Sequence, residues 1–319
     1  MKQKNYRLTP LAMMTAATFA WSTPVLANET ISITSPDVYD SGADGIEIYV
    51  PPPENNTNGT CAAFLEPAIN GIIGSSSNNW GIHIESLNDG TVLYSHNADK
   101  YFIPASNIKL FTTAAALQRL TPNGTVRSRS IREWITITNQ RSNNNYADSL
   151  LRYIGGAQAA KTALAQLGIN PNTYRLADGS GLSRRNAATP KSLVSTLKAM
   201  YYTQGSEIFI ASLPVAGMSG TLRNRMKYTS AQGMVHAKTG TLRGVRALSG
   251  YIDHPQYGKL VFSIIGNNPR QSGTSLVKTI DGIVLQLSML MPCDQSFGNG
   301  DWGVRIGKFR FLFSFFPIF

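Results

Sequence analysis

Ser106 and Lys109 stand in Pro104-Ala105-Ser106-Asn107-Ile108-Lys109-Leu110, at the head of an apolar, Ala-rich run through Leu120. The run predicts a helix, and the spacing puts both side chains on one helical face, one turn apart. A serine hydroxyl is a weak nucleophile until a base takes its proton. A lysine held against it in a partly desolvated pocket can be that base, because burial lowers an ammonium pKa. Taken alone, the pair reads equally as a serine near a helix start with a solvated lysine. Two further motifs change the reading: Ser142-Asn143-Asn144 and Lys238-Thr239-Gly240-Thr241. S-x-x-K, S-x-N and K-T-G-T make one site only if helices from the middle of the chain face a strand near its end.

The rest of the pattern supplies those elements. Ala62 to Ile73 has helical apolar spacing, and Trp80–Glu85 and Thr91–Ser95 alternate as strands around the turn signal Asn88-Asp89-Gly90. After the S-x-x-K helix, Arg132–Ile137 leads into S-N-N and a helix through Tyr153. A helix over Ala157–Leu167 and one opened by Pro190 through Met200 follow, with a turn-rich Asp178-Gly179-Ser180-Gly181-Leu182-Ser183 loop between them. Gly233–Thr239, Arg246–Ile252 and Lys259–Gly266 read as strands, and Thr274–Leu290 as a closing helix. The expected class is α+β: one antiparallel sheet from the terminal strands, backed by the first and last helices. Asp178 and Ser180 read as turn organisers, Ser142 also as a cap for the helix after it, and Asn143 and Asn145 as surface or turn residues.

At 319 residues the chain can bury a sizeable core. Residues 1–27 read as a secretory signal, with Lys2, Lys4 and Arg7 before an apolar Leu8–Ala20 and Val25-Leu26-Ala27 at the cleavage site. The alternative is an uncleaved N-terminal anchor, although the apolar stretch is short for a membrane span. Residues 28–60, rich in Ser, Asn, Pro and Gly, read as a linker or poorly ordered arm. Export implies a periplasmic or otherwise external location. There Cys61 and Cys293, beside the first and last helices, are a disulfide candidate, with two free thiols as the alternative. His83, His96, His236 and His254 lack metal-ligand spacing, so no metal is expected. A net charge of +11, from 29 Lys+Arg against 18 Asp+Glu, suits an anionic partner such as a cell-wall polymer or a membrane surface. No Lys/Arg stripe interleaved with aromatics argues for nucleic acid.

The motif order, and the stretches Tyr101–Lys109, Asn139–Ala147, Asp178–Arg184 and Ser212–Leu242, resemble the class C low-molecular-mass penicillin-binding proteins. These are the D-alanyl-D-alanine carboxypeptidase/endopeptidases, and the likeness covers most of residues 61–293. It implies the penicillin-recognising serine-transferase fold, no cofactor, peptidoglycan peptides ending in D-Ala-D-Ala as substrates and β-lactams as inhibitors. It also implies roles. Ser106 attacks the penultimate D-Ala carbonyl and Lys109 takes its proton. Ser142 relays a proton to the leaving amine, and Asn144 bonds both the substrate amide and Lys109. Lys238 holds the terminal carboxylate, helped by Thr239 and Thr241, and Gly240 lets the substrate backbone approach the strand edge. The N–H groups of Ser106 and Thr241 form the oxyanion hole.

The departure from that family is large. Its members carry extra domains between S-x-x-K and S-x-N, where this chain has only 32 residues, 110–141. A reduced helical subdomain is expected. The rival to a working enzyme is a catalytically impaired, peptidoglycan- or penicillin-binding protein of the same fold. A β-lactamase lacks a glutamate in a clearly deacylating context. The tail after Cys293, 294–319, has no family counterpart. Its run from Phe309 to Phe316 reads as a peripheral membrane contact or as an unstructured or mis-decoded end.

Overall fold

The computed structural model describes residues 60–292, all within the unit Asn55–Phe319. The expected signal (1–27), almost all of the arm (28–60), Cys293 and the 294–319 tail lie outside the described residues, and of Cys61 only the backbone is described.

Helix α1 (Leu65–Ile73) follows a 3-10 turn at Ala62–Phe64. Strands β1 (Trp80–Ser86) and β2 (Val92–His96) come next as a hairpin. It closes through Ser86 N–H to Thr91 O, with Gly90 at φ 75°. The middle of the chain is helical: α2 (Ile108–Arg119), α3 (Ile131–Gln140), α4 (Asn144–Tyr153), α5 (Gly156–Gln166), α6 (Pro190–Tyr202) and the short α7 (Ser206–Ala211). Strands β3 (Val235–Leu242), β4 (Val245–His254) and β5 (Gly258–Asn267), then α8 (Gly273–Ser288), complete the domain. The five strands form one antiparallel sheet in the order β2-β1-β5-β4-β3, so the K-T-G-T strand β3 is an edge.

Both faces of the sheet are covered. Trp80, Ile82 and Ile84 of β1 share one core with Leu65 and Ile69 of α1 and Ile280, Ile283 and Val284 of α8. Tyr251, Val261 and Ile265 share the other with Phe111 of α2 and Leu193, Val194 and Leu197 of α6. This is the α+β arrangement the pattern predicts. A two-residue parallel ladder, Thr60–Cys61 beside Leu290–Met291, ties the beginning of the domain to its end.

The short connection between the first two motifs is fully built. After α2 a two-residue ladder, Thr125–Val126 with Arg129–Ser130, turns the chain into α3. Ser130 caps α3 by accepting from Glu133 N–H, 3.1 Å, so Ser130 and Glu133 carry the capping-box spacing. Around α2 the helical layer closes a continuous core with Trp134, Leu150, Leu151 and Leu164. The helical layer therefore runs from α2 to α3 without a break.

The edge strand packs directly on the turn that carries Ser106. A Cβ at Gly240 would lie 2.6 Å from Pro104 O and 3.3 Å from Asn107 Oδ1. Asn107 in turn donates to Ser249 Oγ on β4, 2.7 Å, and Ser249 to Ser263 on β5, 2.8 Å. Gly240 thus allows the close contact between the strand and the Ser106 turn on the buried side of β3. Replacing Gly240 by Ala should destabilise the domain by about 1–3 kcal/mol through overpacking. A lowered urea midpoint checks this; an unchanged midpoint would contradict the close packing.

Candidate active site

Ser106 sits in a 3-10 turn, Ala105–Asn107, that runs straight into α2. Ala105, fully buried, has φ 49°, a left-handed conformation that costs a non-glycine residue about 1–2 kcal/mol. The turn is clamped from above by Gly181. Its φ is 86°, and a Cβ there would come within 2.0 Å of Ala105 O. Only glycine meets both demands. Ser142 also has a left-handed backbone, φ 53°, at the corner between α3 and α4. Such outliers persist where surrounding contacts fix them, and sites concentrate them.

Lys109 is completely buried, and its Nζ donates to three acceptors: Ser106 Oγ at 2.9 Å, Asn144 Oδ1 at 2.8 Å and Ser180 O at 2.5 Å. Burial lowers its pKa from the ordinary lysine value to about 8, and the charges of Asp148 and Asp178 oppose that shift without overcoming it. A neutral amine is thereby accessible near physiological pH, in contact with the Ser106 hydroxyl, an arrangement able to accept its proton.

Lys238 is equally buried. Its Nζ donates to Ser142 Oγ, 2.9 Å, and to Thr239 O, 3.0 Å. Burial, and then the nearby charge of Lys109, hold its pKa well below the ordinary lysine value. The S-x-N turn is therefore where the two lysines converge: Ser142 receives Lys238 and Asn144 receives Lys109. Ser142 does not cap α4. That work belongs to Asn143, which accepts from Tyr146 N–H at 3.0 Å, so Asn143 is more than the surface or turn residue expected.

Strand parity defines the free edge of β3. Ala216 N–H bonds Val235 O, and Ala237 N–H bonds Pro214 O, each at 2.9 Å. Backbone groups at alternate residues point to the same side, so Thr239 and Thr241 present theirs along the continuation of this edge. Thr241 is exposed there, beside the Gly240 contact with the Ser106 turn. The Thr239 hydroxyl is engaged with Thr221 Oγ1 at 2.7 Å.

The three motifs meet as the sequence suggests, but part of the site has no motif. Ser180 contributes its backbone carbonyl to Lys109. The loop that carries it is fixed by Asp178, whose Oδ1 accepts from Gly181 N–H (2.6 Å) and Asn186 Nδ2 (2.8 Å), and whose Oδ2 accepts from Ser183 N–H (2.7 Å). Asp148 on α4 holds Gly179 N–H at 2.9 Å. The turn signal in Asp-Gly-Ser-Gly was legible; that its carbonyl would reach Lys109 was not. Among the described residues no group of His, Cys, Asp and Glu gathers to hold a metal ion.

The model of the D-Ala-D-Ala carboxypeptidase 3 (S13) family matches residues 68–127 and 124–288. The two segments meet inside the short stretch between S-x-x-K and S-x-N. The penicillin-sensitive carboxypeptidase A of Dictyostelium discoideum is 38% identical over 180 residues, 50% of this chain and 34% of that protein. A D-alanyl-D-alanine carboxypeptidase of Actinomadura sp. is 40% identical over 163 residues, 46% of this chain and 30% of that protein. The chain spans about a third of the length of these curated relatives. Penicillin binding protein 4 from Haemophilus influenzae, solved with a β-lactam, superimposes with TM-score 0.61 at 15% identity, over 70% of this chain and 99% of that one. A β-lactamase from Chitinophaga pinensis gives 0.57 at 16%, over 70% and 96%. These two show a shared penicillin-recognising serine-hydrolase fold. Since the family model covers well over half of the sequence, motifs included, the chain belongs to the D-Ala-D-Ala carboxypeptidase 3 (S13) family.

Proposed function

We propose that this chain is a serine-type D-alanyl-D-alanine carboxypeptidase that acts on peptidoglycan stem peptides through an acyl-enzyme and is acylated by β-lactams. The observation that carries the reading is Lys109: fully buried, with a pKa near 8, and 2.9 Å from Ser106 Oγ. As the neutral amine it takes the Ser106 proton while Oγ attacks the penultimate D-Ala carbonyl. The developing oxyanion lies between the N–H groups of Ser106 and Thr241. Lys109 returns the proton towards the leaving D-Ala amine by way of Ser142, and water then releases the acyl group. Lys238 takes the terminal carboxylate, which compensates an ammonium otherwise disfavoured by burial. Asn144 orients Lys109 and the substrate amide.

The same site serves an endopeptidase reaction wherever a cross-linked peptide presents an equivalent bond. The reading places the protein outside the cytoplasm, consistent with residues 1–27. It includes a Cys61–Cys293 bridge, supported by the pairing of Cys61 with Met291, two residues before Cys293. The 2.9 Å contact that seats Ser142 against Lys238 supports a working cleft over the impaired-binder rival.

A fluorescent penicillin should label the purified protein, and Ser106→Ala should abolish the label. Labelling that survives this change would refute the nucleophile. Incubation with a D-Ala-D-Ala peptide should release D-Ala above the Ser106→Ala background. Losing a positioned charge–carboxylate contact of about 1.5–3 kcal/mol lowers kcat/KM by about ten- to a hundredfold. Lys238→Ala should show that loss on free-acid peptides and far less on C-terminally amidated ones. Equal losses on both would mean that Lys238 does not read the carboxylate.

A further inference from the structure

Outside the three motifs, the segment 212–222 touches both the K-T-G-T strand and the S-x-N corner. Its first part is laid along β3: Ala237 N–H bonds Pro214 O and Ala216 N–H bonds Val235 O, each at 2.9 Å. Its last part is the 3-10 turn Gly220–Leu222. There Gly220 has φ 55°, and a Cβ on it would lie 2.7 Å from Gln140 O, two residues before Ser142. Leu222, fully buried, anchors the turn in the core, and its carbonyl accepts from Gly217 N–H at 3.0 Å. Thr221, between these fixed neighbours, is exposed, and its Oγ1 lies 2.7 Å from Thr239 Oγ1.

Thr239 is thus held twice: its carbonyl accepts from Lys238 Nζ at 3.0 Å, and its hydroxyl meets that of Thr221. A threonine hydroxyl carries one proton and can accept two hydrogen bonds, whereas a carboxylate only accepts. If Thr239 donates to Thr221, it has no proton left for an anion. If Thr221 donates to Thr239, the Thr239 proton is free to turn towards a carboxylate, and the donated bond polarises it. A carboxylate beside Lys238 selects the second arrangement. We propose that Thr221 is a positioning residue for substrate recognition: its hydroxyl donates to Thr239 Oγ1 and so aims the Thr239 proton at the terminal carboxylate that Lys238 holds. The identity of that anion rests on the carboxypeptidase reading above. Stability gives Thr221 little other role, since an exposed hydroxyl pair replaces bonds to water with little net gain.

Two peptides labelled at the N-terminus, one ending in D-Ala-D-Ala as the free acid and one in its C-terminal carboxamide, separate this role from packing. Affinities are measured by fluorescence anisotropy on Ser106→Ala protein, which binds without turnover. Adding Thr221→Val, which keeps the shape and removes the hydroxyl, should weaken the free-acid peptide about five- to tenfold and the carboxamide less than about twofold. Thr221→Ser should retain most of the affinity. With Thr239→Val already present, Thr221→Val should have no further effect, because the two act through one bond. Equal weakening of both peptides, no weakening, a loss as large in Thr221→Ser, or a loss that adds to that of Thr239→Val would overturn the role of Thr221. So would a Ser106→Ala protein that binds both peptides equally well. D-Ala release by the unmodified protein is scored separately. Selective weakening by Thr221→Val without any release keeps Thr221 as a carboxylate-positioning residue and rejects the carboxypeptidase. Release with no effect of Thr221→Val on affinity rejects the role of Thr221 and keeps the carboxypeptidase.

Discussion

Everything chemical in this domain depends on one uncomfortable arrangement: an amine sealed from water. Charging Lys109 in that environment is costly, and its three acceptors and two nearby aspartates repay only part of the cost. Desolvation wins, and the pKa falls to about 8. The same contacts that make the ammonium tolerable fix the direction of the amine, so that Ser106 Oγ is one of its three partners. A more exposed lysine would be protonated and idle. One with fewer partners would point elsewhere.

Holding that arrangement requires three segments from distant parts of the sequence to touch within backbone contact. The β3 edge reaches the Ser106 turn only because Gly240 lacks a side chain, and the 178–186 loop reaches it only because Gly181 does. Behind the turn, Asn107, Ser249 and Ser263 run a hydrogen-bonded line from the Ser106 turn through β4 to β5, so the sheet itself sets the position of Ser106. The 32-residue passage from Lys109 to Ser142 is sufficient because α2 and α3 pack through one core. That short passage is enough to bring S-x-N against S-x-x-K.

How much of this the sequence announced follows from what side chains can signal. Ser106, Lys109, the S-x-N pair and Lys238 are picked out by residue type and spacing, and hydrogen bonds join their side chains in two linked groups. The sheet and most helices follow from periodicity. The Ser180 carbonyl left no trace, because any residue supplies a backbone oxygen. Asp148 and Thr221 left none, because a lone Asp or Thr carries no spacing to read. The packing of Gly240 on the Ser106 turn left none either, because an edge glycine does not say which neighbour comes close. The short α7, six residues after a glycine, has too little length for a helical period to emerge.

The central claim is that the neutral form of Lys109 activates Ser106. Its direct test is the pH dependence of the acylation rate constant of Ser106 by a single penicillin, followed by stopped flow and corrected for spontaneous hydrolysis. A base that must lose its proton makes the rate rise about tenfold per pH unit on the acid side and level off beyond its pKa. The account predicts a plateau above about pH 8, matching the lowered Lys109 pKa, and loss of the rising limb together with most of the rate in Lys109→Ala. A rate constant flat from about pH 6 to 9, or a Lys109→Ala protein acylated as fast as the unmodified one, would contradict it.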